Sequence, residues 1–250
     1  MPRLFFLTFI FLSVISCLNQ SLPIVIGHRG AMGYIAENTI PSIKKAIELG
    51  ADGIEIDVFK CASGELVVFH DIMLDKLTNL NGNIEETSLD SLKKAKVLGS
   101  YEIPTLNEVM DLIDGTLILN IELKGSGTAV PTNDLLQDYF NNSSWDPSKI
   151  IISSFKWDEL NIFFNLNKEV PIAILTDSDP LEAIPFAKKV KAYAINPKYS
   201  LLTNKNSKII KDEGIKLFPW TVNDPSDIKS LISLGVDGII TDFPDRVNKE

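Results

Sequence analysis

Two acidic residues stand two apart in residues 53–58, Gly-Ile-Glu-Ile-Asp-Val. Side chains of an extended strand alternate between two faces, so Glu55 and Asp57 share one face, opposite the apolar residues. Acids that alternate with apolar residues most often form the solvent-exposed face of a strand in an antiparallel sheet. In a parallel barrel both faces of a strand are covered, and acids near its carboxyl end face the barrel mouth. Two like charges about 6 to 7 Å apart at their Cα atoms then predict a bound cation.

A third acid occurs in the same pattern in residues 117–124, Leu-Ile-Leu-Asn-Ile-Glu-Leu-Lys. Alternation places Asn120, Glu122 and Lys124 on one face. Taken alone, Glu122 is explained equally well as the ion-pair partner of Lys124. If it converges on the first two acids from a second barrel strand, it becomes a third oxygen ligand. Three carboxylates suit a hard ion, and we expect Ca²⁺ or Mg²⁺.

The chain has two histidines, His28 and His70. A single histidine is more often structural than catalytic. Here one ends the predicted first strand and the other ends a predicted hairpin after the acid pair, so the fold brings both toward the same mouth. Histidine is the usual proton carrier near neutral pH, and Arg29 offers a planar fork for a phosphate. Together these groups predict a site that cleaves a phosphoryl ester.

The elements that position these residues follow from an alternation of short β-branched runs with segments of helical period. We predict eight strands, at residues 24–28, 53–58, 117–123, 149–153, 172–175, 192–196, 216–222 and 238–241. We predict helices at residues 42–49, 89–96, 106–112, 133–141, 158–166, 181–189, 205–213 and 227–234.

Eight strand–helix units in a chain of 250 residues indicate the α/β class and one (β/α)8 TIM barrel over residues 22–250. A doubly wound open sheet is the alternative. The irregular stretch at residues 60–104 contains a predicted hairpin strand at 65–69. The stretch at residues 60–104 is the only place for an insertion, which we expect to be short and to follow the second strand.

Composition excludes several other classes of protein. The 24 basic and 33 acidic side chains give a net charge of −9, and no basic cluster is present, so we expect no nucleic-acid partner. A hydrophobic fraction of 45% is that of a packed globular protein. Two cysteines, Cys17 and Cys61, cannot form a disulfide scaffold.

The first residues are typical of a targeting segment. Arg3 precedes an apolar run at residues 4–15, which is too short to span a bilayer comfortably. Residues 14–17, Val-Ile-Ser-Cys, resemble a bacterial lipobox. We therefore predict a lipoprotein signal peptide at residues 1–16, with Cys17 lipidated as the first mature residue. A plain signal peptide is the alternative. Lipidation predicts an exported protein, anchored to a membrane and facing the periplasm or the outside.

Eight short motifs in order resemble the glycerophosphodiester phosphodiesterase family. They are Gly-His-Arg-Gly at 27–30, Ala-Glu-Asn-Thr at 36–39, Gly-Ile-Glu-Ile-Asp-Val at 53–58, Val-Phe-His-Asp at 68–71, Asn-Ile-Glu-Leu-Lys at 120–124, Ser-Ser-Phe at 153–155, Pro-Trp-Thr-Val-Asn at 219–223 and Gly-Val-Asp-Gly-Ile-Ile-Thr-Asp at 235–242. Each motif is weak alone, but the ordered set is specific and covers nearly all of the chain after the leader. Ala36 stands where the family has proline, which affects loop stiffness rather than a chemical group.

The resemblance implies a TIM barrel that hydrolyses a glycerophosphodiester to glycerol 3-phosphate and an alcohol with a divalent metal ion. It implies the following roles: Glu55, Asp57 and Glu122 hold the metal, His28 and His70 act as general acid and base, and Arg29 and Lys124 contact the phosphate. It does not assign which histidine is the acid. It also leaves open whether water or a glycerol hydroxyl is the nucleophile.

Two other functions are compatible with parts of the sequence. A phospholipase D-like member of the superfamily, acting on lysophospholipid or sphingolipid, would need an apolar groove. Trp220 lies toward the end of a predicted strand, and we expect it to contact substrate, whereas we assign Phe218 to barrel packing. A surface lipoprotein that binds ligands on a degenerate barrel is disfavoured, because both histidines and all three acids are present.

Overall fold

The computed structural model describes residues 22–247, which form a nearly closed barrel of parallel strands surrounded by helices. The strands are β1 (Ile24–Gly27), β2 (Gly53–Lys60), β3 (Leu66–Val68), β4 (Ile118–Leu123), β5 (Ile150–Ser154), β6 (Ile172–Thr176), β7 (Ala194–Pro197), β8 (Lys216–Leu217) and β9 (Gly238–Thr241). Eight of them are parallel, in the order β8-β7-β6-β5-β4-β2-β1-β9, and β3 is an antiparallel partner of β2.

Hydrogen bonds join the two ends of this row of strands. The Val222 N–H donates to the Ile240 carbonyl at 2.9 Å, and the Ile240 N–H donates to the Pro219 carbonyl at 3.0 Å. The predicted barrel is therefore confirmed, and the open-sheet alternative is wrong.

The predicted signal peptide and Cys17 lie outside the described residues. Between residues 22 and 247, none of the helices has the length and apolar character needed to cross a bilayer.

Eight α-helices accompany the strands within the described residues. They are α1 (Ile40–Glu48), α2 (Leu89–Leu92), α3 (Leu106–Ile113), α4 (Ala129–Asn142), α5 (Trp157–Leu166), α6 (Ile184–Lys189), α7 (Asn204–Asp212) and α8 (Pro225–Ser233). Local capping explains several of their starts. Thr105 accepts a hydrogen bond from the Glu108 N–H while Glu108 accepts one from the Thr105 N–H, which closes a capping box at α3.

Three predicted elements differ from the structure for identifiable reasons. The predicted strand at 216–222 is regular only over β8, because Pro219 has no N–H to donate to a neighbouring strand. The predicted helix at 89–96 ends at Leu92, because Val97 is drawn into bridges with Thr78 and Tyr101. The predicted helix at 181–189 begins as a 3₁₀ turn, Pro180–Ala183, and α6 restarts at Ile184 with a proline in its first turn.

The alternation of residues along the strands separates two cores. The outward-facing Ile54, Ile56 and Val58 of β2 are fully buried in the core that includes Val109 of α3. A smaller floor cluster fills the inside of the barrel and consists of Ile26, Ile151, Ala173, Ala194, Phe218 and Ile240. A Cβ at Gly238 would collide with the Phe218 ring, so this glycine makes room for the largest side chain of the floor cluster.

The predicted insertion after the second strand has a core of its own. This insertion core consists of Phe59, Cys61, Val67, Phe69, Leu74, Ile84, Leu92, Ala95, Val97 and Ile103. It begins on β2, includes β3 and continues through α2 to residue 103. Phe69 in this cluster immediately precedes His70, so the insertion carries one of the two histidines to the mouth of the barrel.

Candidate active site

A cavity of about 190 Å³ opens at the carboxyl ends of the parallel strands. This is the end of a TIM barrel at which active sites lie. The cavity is lined by His28, Arg29, Glu55, His70, Asn120, Glu122, Lys124, Ser153, Phe155, Leu175, Trp220, Thr221 and Ile240. Charged and imidazole side chains form one side, and we name them, together with Asp57 directly behind them, the polar wall: His28, Arg29, Glu55, Asp57, His70, Glu122 and Lys124. Phe155, Leu175 and Trp220 form the apolar wall.

The three predicted metal ligands converge in the polar wall. One carboxylate oxygen from each of Glu55, Asp57 and Glu122 lies within 4.8 Å of the other two. The parallel register places Asp57 opposite Glu122, which explains how two strands bring these acids together. The residues are only 3%, 1% and 8% exposed, respectively. Buried like charges at this separation, all of them oxygen donors, fit a hard divalent cation.

The same proximity shifts the proton affinities of the acids. Burial and the neighbouring charge of Asp57 raise the pKa of Glu122 to about 8. Burial, Asp57 and Glu122 raise the pKa of Glu55 well above its usual range. Burial also acts to raise the pKa of Asp57, but the positive charges of Arg29 and Lys124 outweigh it and lower that pKa. At neutral pH, Asp57 is therefore the acid that most strongly holds a negative charge.

Arg29 follows β1 in a left-handed backbone conformation with φ of 50°. This turn aims its backbone N–H at Glu55, to which it donates a hydrogen bond of 2.9 Å. Its guanidinium donates to Glu37 at 2.7 Å and lies 3.2 Å from the Asp57 carboxylate. The sequence did not assign a role to Glu37, although it stands in one of the quoted motifs. Two acids thus fix the guanidinium at the cavity edge.

Lys124 and Asn38 complete the contacts around the acids. The Lys124 ammonium lies 3.0 Å from Glu122 and 3.6 Å from Asp57. Burial lowers the pKa of Lys124, but the two acids outweigh burial and raise it, so the ammonium stays charged. Asn38 donates a hydrogen bond of 2.8 Å to Asp57 and accepts one of 3.2 Å from the Asp57 N–H. The Glu122–Lys124 pair expected as an alternative to metal binding is present together with the acid cluster.

His28 is oriented by the last barrel strand. Its Nδ1 lies 2.7 Å from Asp242, which follows β9, and Asn223 donates to the other oxygen of Asp242 at 2.6 Å. Burial raises the pKa of Asp242, but the bond to His28 outweighs burial and lowers it, so the carboxylate accepts and Nδ1 carries the proton. This arrangement leaves Nε2 of His28 available to a substrate.

His70 has a similar partner, supplied by its neighbour in sequence. Its Nδ1 lies 2.6 Å from Asp71, whose other oxygen lies 3.1 Å from the Lys76 ammonium. Burial and the positive charges of Arg29 and Lys124 lower the pKa of His70 against the opposing charge of Asp57. The imidazole of His70 is consequently neutral at pH 7, and its Nε2 is the ring nitrogen that can accept a proton.

The apolar wall is built from aromatic and aliphatic side chains. Phe155 and Trp220 meet edge to face, with ring centroids 5.3 Å apart, and Leu175 lies in the same wall. The indole N–H of Trp220 donates to the Asn196 carbonyl at 2.8 Å, which fixes the ring plane. Phe155 is 40% exposed, so this wall continues to the outer edge of the mouth.

The structure brings all eight predicted site residues to one place. Seven of them line the cavity, and Asp57 lies directly behind its wall, beside Glu55 and Glu122. The sequence indicated no role for the groups that orient them, which are Glu37, Asn38, Asp71, Asn223 and Asp242, nor for Asn120, Ser153 and Phe155 of the cavity. The position of Asn120 in the site could have been predicted from the sequence, because the predicted alternation already placed it on the same face as Glu122.

Comparison with known proteins agrees with this geometry. The Glycerophosphoryl diester phosphodiesterase family matches residues 28–246. A glycerophosphodiester phosphodiesterase of Caldanaerobacter subterraneus subsp. tengcongensis is 36% identical over 233 residues, which cover 90% of this chain and 96% of that protein.

Solved structures are similar over the same extent. An Oleispira antarctica phosphodiesterase in complex with its product sn-glycerol-3-phosphate superposes with a TM-score of 0.83 at 28% identity, covering 90% of this chain and 95% of that one. A Thermotoga maritima glycerophosphodiester phosphodiesterase gives a TM-score of 0.74 at 30% identity, covering 89% and 96%. With the barrel, the ordered motifs and these matches in agreement, the chain belongs to the glycerophosphodiester phosphodiesterase family.

Proposed function

We propose that this protein hydrolyses glycerophosphodiesters to glycerol 3-phosphate and an alcohol, with the help of a divalent metal ion. The observation that carries the proposal is the meeting of two imidazoles, three carboxylates and two fixed cations at the wall of one cavity. The family match and the product named for the Oleispira antarctica relative support the glycerol-based substrate.

Glu55, Asp57 and Glu122 would hold the metal ion, and their oxygen donors favour Ca²⁺ or Mg²⁺. A bound divalent cation would neutralise charge on a nonbridging phosphate oxygen. It would also relieve the repulsion that raises the pKa of Glu55 and Glu122. Asp57, which keeps its charge, would be the first acid to attract the cation.

The two fixed cations would orient the phosphate. Arg29 presents a guanidinium held by Glu37 and Asp57, and Lys124 presents an ammonium held by Glu122 and Asp57. Because both side chains are already anchored, little conformational entropy is lost when they contact phosphate oxygens. Trp220 would contact the carbon part of the substrate from the opposite wall.

The two histidines would divide the proton transfers. His70 is neutral at pH 7 because its pKa is lowered, so it suits the role of general base that activates the nucleophile. His28 would then protonate the leaving alkoxide through Nε2, and Asp242 would stabilise the imidazolium before that transfer and hold the ring afterwards.

A substrate panel with and without EDTA tests this function. Glycerophosphocholine, glycerophosphoethanolamine and glycerophosphoinositol should each yield glycerol 3-phosphate, and EDTA should stop the reaction until Ca²⁺ or Mg²⁺ is added. Cleavage of lysophosphatidylcholine in preference to all three would instead identify the phospholipase D-like alternative. Unchanged activity in EDTA would contradict metal dependence.

We also propose that the protein is exported and anchored through a lipid on Cys17. The support is the apolar run at residues 4–15, whose last two residues begin the Val-Ile-Ser-Cys segment at residues 14–17. Globomycin should block processing, and Cys17→Ala should move the protein from the membrane fraction to the soluble fraction. Unchanged partitioning of Cys17→Ala would contradict the anchor and favour the plain signal peptide.

A further inference from the structure

Among the buried polar atoms that have no hydrogen-bond partner within residues 22–247, two belong to uncharged side chains that line the cavity. They are Oδ1 of Asn120 and Oγ of Ser153. Asn120 is 1% exposed, Ser153 is fully buried, and both residues line the cavity. Leaving such an atom unpaired costs free energy, and nearly all buried polar groups in proteins have partners. Two exceptions on adjacent strands of one cavity indicate a ligand that supplies the missing hydrogen bonds.

The neighbouring serine shows that the arrangement is specific. Ser154 is also fully buried, but its hydroxyl donates to the Leu123 carbonyl at 2.6 Å and accepts from the Lys156 N–H at 2.8 Å. Ser154 therefore belongs to the scaffold. Ser153 points to the other face of β5, as alternation requires, and that face belongs to the cavity.

The register of the barrel places these two atoms next to the acids. Asn120 of β4 lies opposite Glu55 of β2, and Ser153 of β5 lies opposite Glu122 of β4. The pair thus occupies the strip between the polar wall and Leu175 of the apolar wall. A group bound there would lie over β4 and β5, whereas Arg29 follows β1 on the other side of β2.

The donor and acceptor types select the group. An amide oxygen is an acceptor only, so it cannot bind a phosphate oxygen, which carries no proton. A serine hydroxyl both donates and accepts. An alcohol hydroxyl matches both atoms, since it can donate to Asn120 and accept from Ser153.

We propose that Asn120 and Ser153 bind the free hydroxyls of the glycerol moiety and make the site selective for polyol phosphodiesters over alkyl phosphodiesters. The inference rests on the proposed function and adds to it the residues that read the glycerol. A site built to bond a hydroxyl discriminates strongly against an analogue without one, because its buried polar atoms are then left unpaired.

Product-analogue binding tests this selectivity without depending on turnover. The wild-type protein, loaded with Mg²⁺ or Ca²⁺, should bind glycerol 3-phosphate more tightly than n-propyl phosphate, which has the same charge and carbon chain but no free hydroxyl. Asn120→Ala and Ser153→Ala should each reduce this preference about two- to tenfold, through weaker glycerol 3-phosphate binding alone. Ser207→Ala, which removes another buried unpartnered hydroxyl outside the cavity, should leave the preference unchanged.

Stability provides a second readout that a structural role would not give. Removing an unpartnered buried hydroxyl should leave the Tm of metal-free Ser153→Ala unchanged or raised, whereas Ser154→Ala should lower it. Equal loss of both ligands in the Asn120 and Ser153 variants, or an unchanged preference, would overturn the inference while the proposed function stands. If the wild type releases glycerol 3-phosphate from no glycerophosphodiester, the proposed function itself fails.

Discussion

The two walls of the cavity are built on different physical principles. In the polar wall charged groups contact one another: Arg29 contacts Asp57, Lys124 contacts Glu122, and these contacts shift the pKa values of the acids. In the apolar wall, Phe155, Leu175 and Trp220 offer contact area and carry no charge. A change in one wall should therefore disturb a coupled network, whereas a change in the other should remove only local contact.

The largest effects should come from the histidines of the polar wall. His28→Ala and His70→Ala should each lower kcat about 10²- to 10⁴-fold, and the double variant should be little worse than either single one. A p-nitrophenyl phosphodiester needs little protonation of its leaving group, so it should restore activity to the variant that lacks the acid. We expect that variant to be His28→Ala. Rescue of neither variant, or of both equally, would contradict a division into acid and base.

The carboxylates of the polar wall should come next. Glu55→Gln, Asp57→Asn and Glu122→Gln should each lower activity and metal affinity more than about 100-fold, since even residues that only support metal ligands cost 10- to 100-fold. Calorimetric titration with Ca²⁺ or Mg²⁺ measures the affinity.

The buried carboxylate of Glu159 offers a matched control for these variants. It accepts hydrogen bonds from the Gly127 and Ala129 N–H groups at the start of α4, outside the cavity. Glu159→Gln should lower stability but leave metal affinity unchanged. Any of the three acids whose variant keeps near-normal activity at low metal concentration is not a ligand.

The pH dependence of metal binding should be a further property of the polar wall alone. Without metal, Glu122 has a pKa of about 8 and therefore holds a proton at pH 6, and the pKa of Glu55 is also raised. A cation must displace the proton of Glu122, so metal affinity should rise with pH by about tenfold per unit for each proton released, and flatten above pH 8. Calorimetry between pH 6 and 9 checks the slope, which should be shallower in Glu122→Gln. A flat profile would show that these acids are already ionised.

The smallest effects should come from the apolar wall. Trp220→Ala should raise KM about two- to tenfold and leave kcat nearly unchanged, because an aromatic ring supplies contact rather than proton transfer. Phe155→Ala should have a similar but smaller effect, since Phe155 is partly exposed. Phe186→Leu, which removes the aromatic partner of Trp157 outside the cavity, should leave KM unchanged. If kcat of Trp220→Ala fell as much as kcat of a histidine variant, the distinction between the two walls would be wrong.

The sequence predicted the polar wall well because its signals are local. Alternation within β2 and within β4 fixed which residues share a face, and the barrel then required those faces to meet. The same rule would have found Asn120. The contact of Asp242 with His28 could not be predicted, because the two residues are 214 positions apart and meet only when β9 pairs with β1.

The sequence predicted less about the irregular parts of the chain. Helical period in residues 89–96 does not reveal that Val97 pairs with residues on both sides of it, which ends α2 at Leu92. The left-handed conformation of Arg29 is likewise a product of its tertiary contacts, since no glycine or asparagine signals it at that position. Local pattern thus predicts the strands, whereas tertiary contacts decide the turns that orient the groups.

The two histidines of the active site come from two parts of the fold, the insertion core and the barrel. His70 follows Phe69 of the insertion core, whereas His28 immediately follows β1 of the barrel. A small cluster opens at lower free energy than a large one, so subdenaturing urea should separate the histidines before the barrel unfolds. Buried Cys61 reports such opening, and in a Cys17→Ala background its labelling by a thiol reagent should rise in parallel with inactivation. Activity would then end with the opening of residues 60–104, while the parallel strands remain folded.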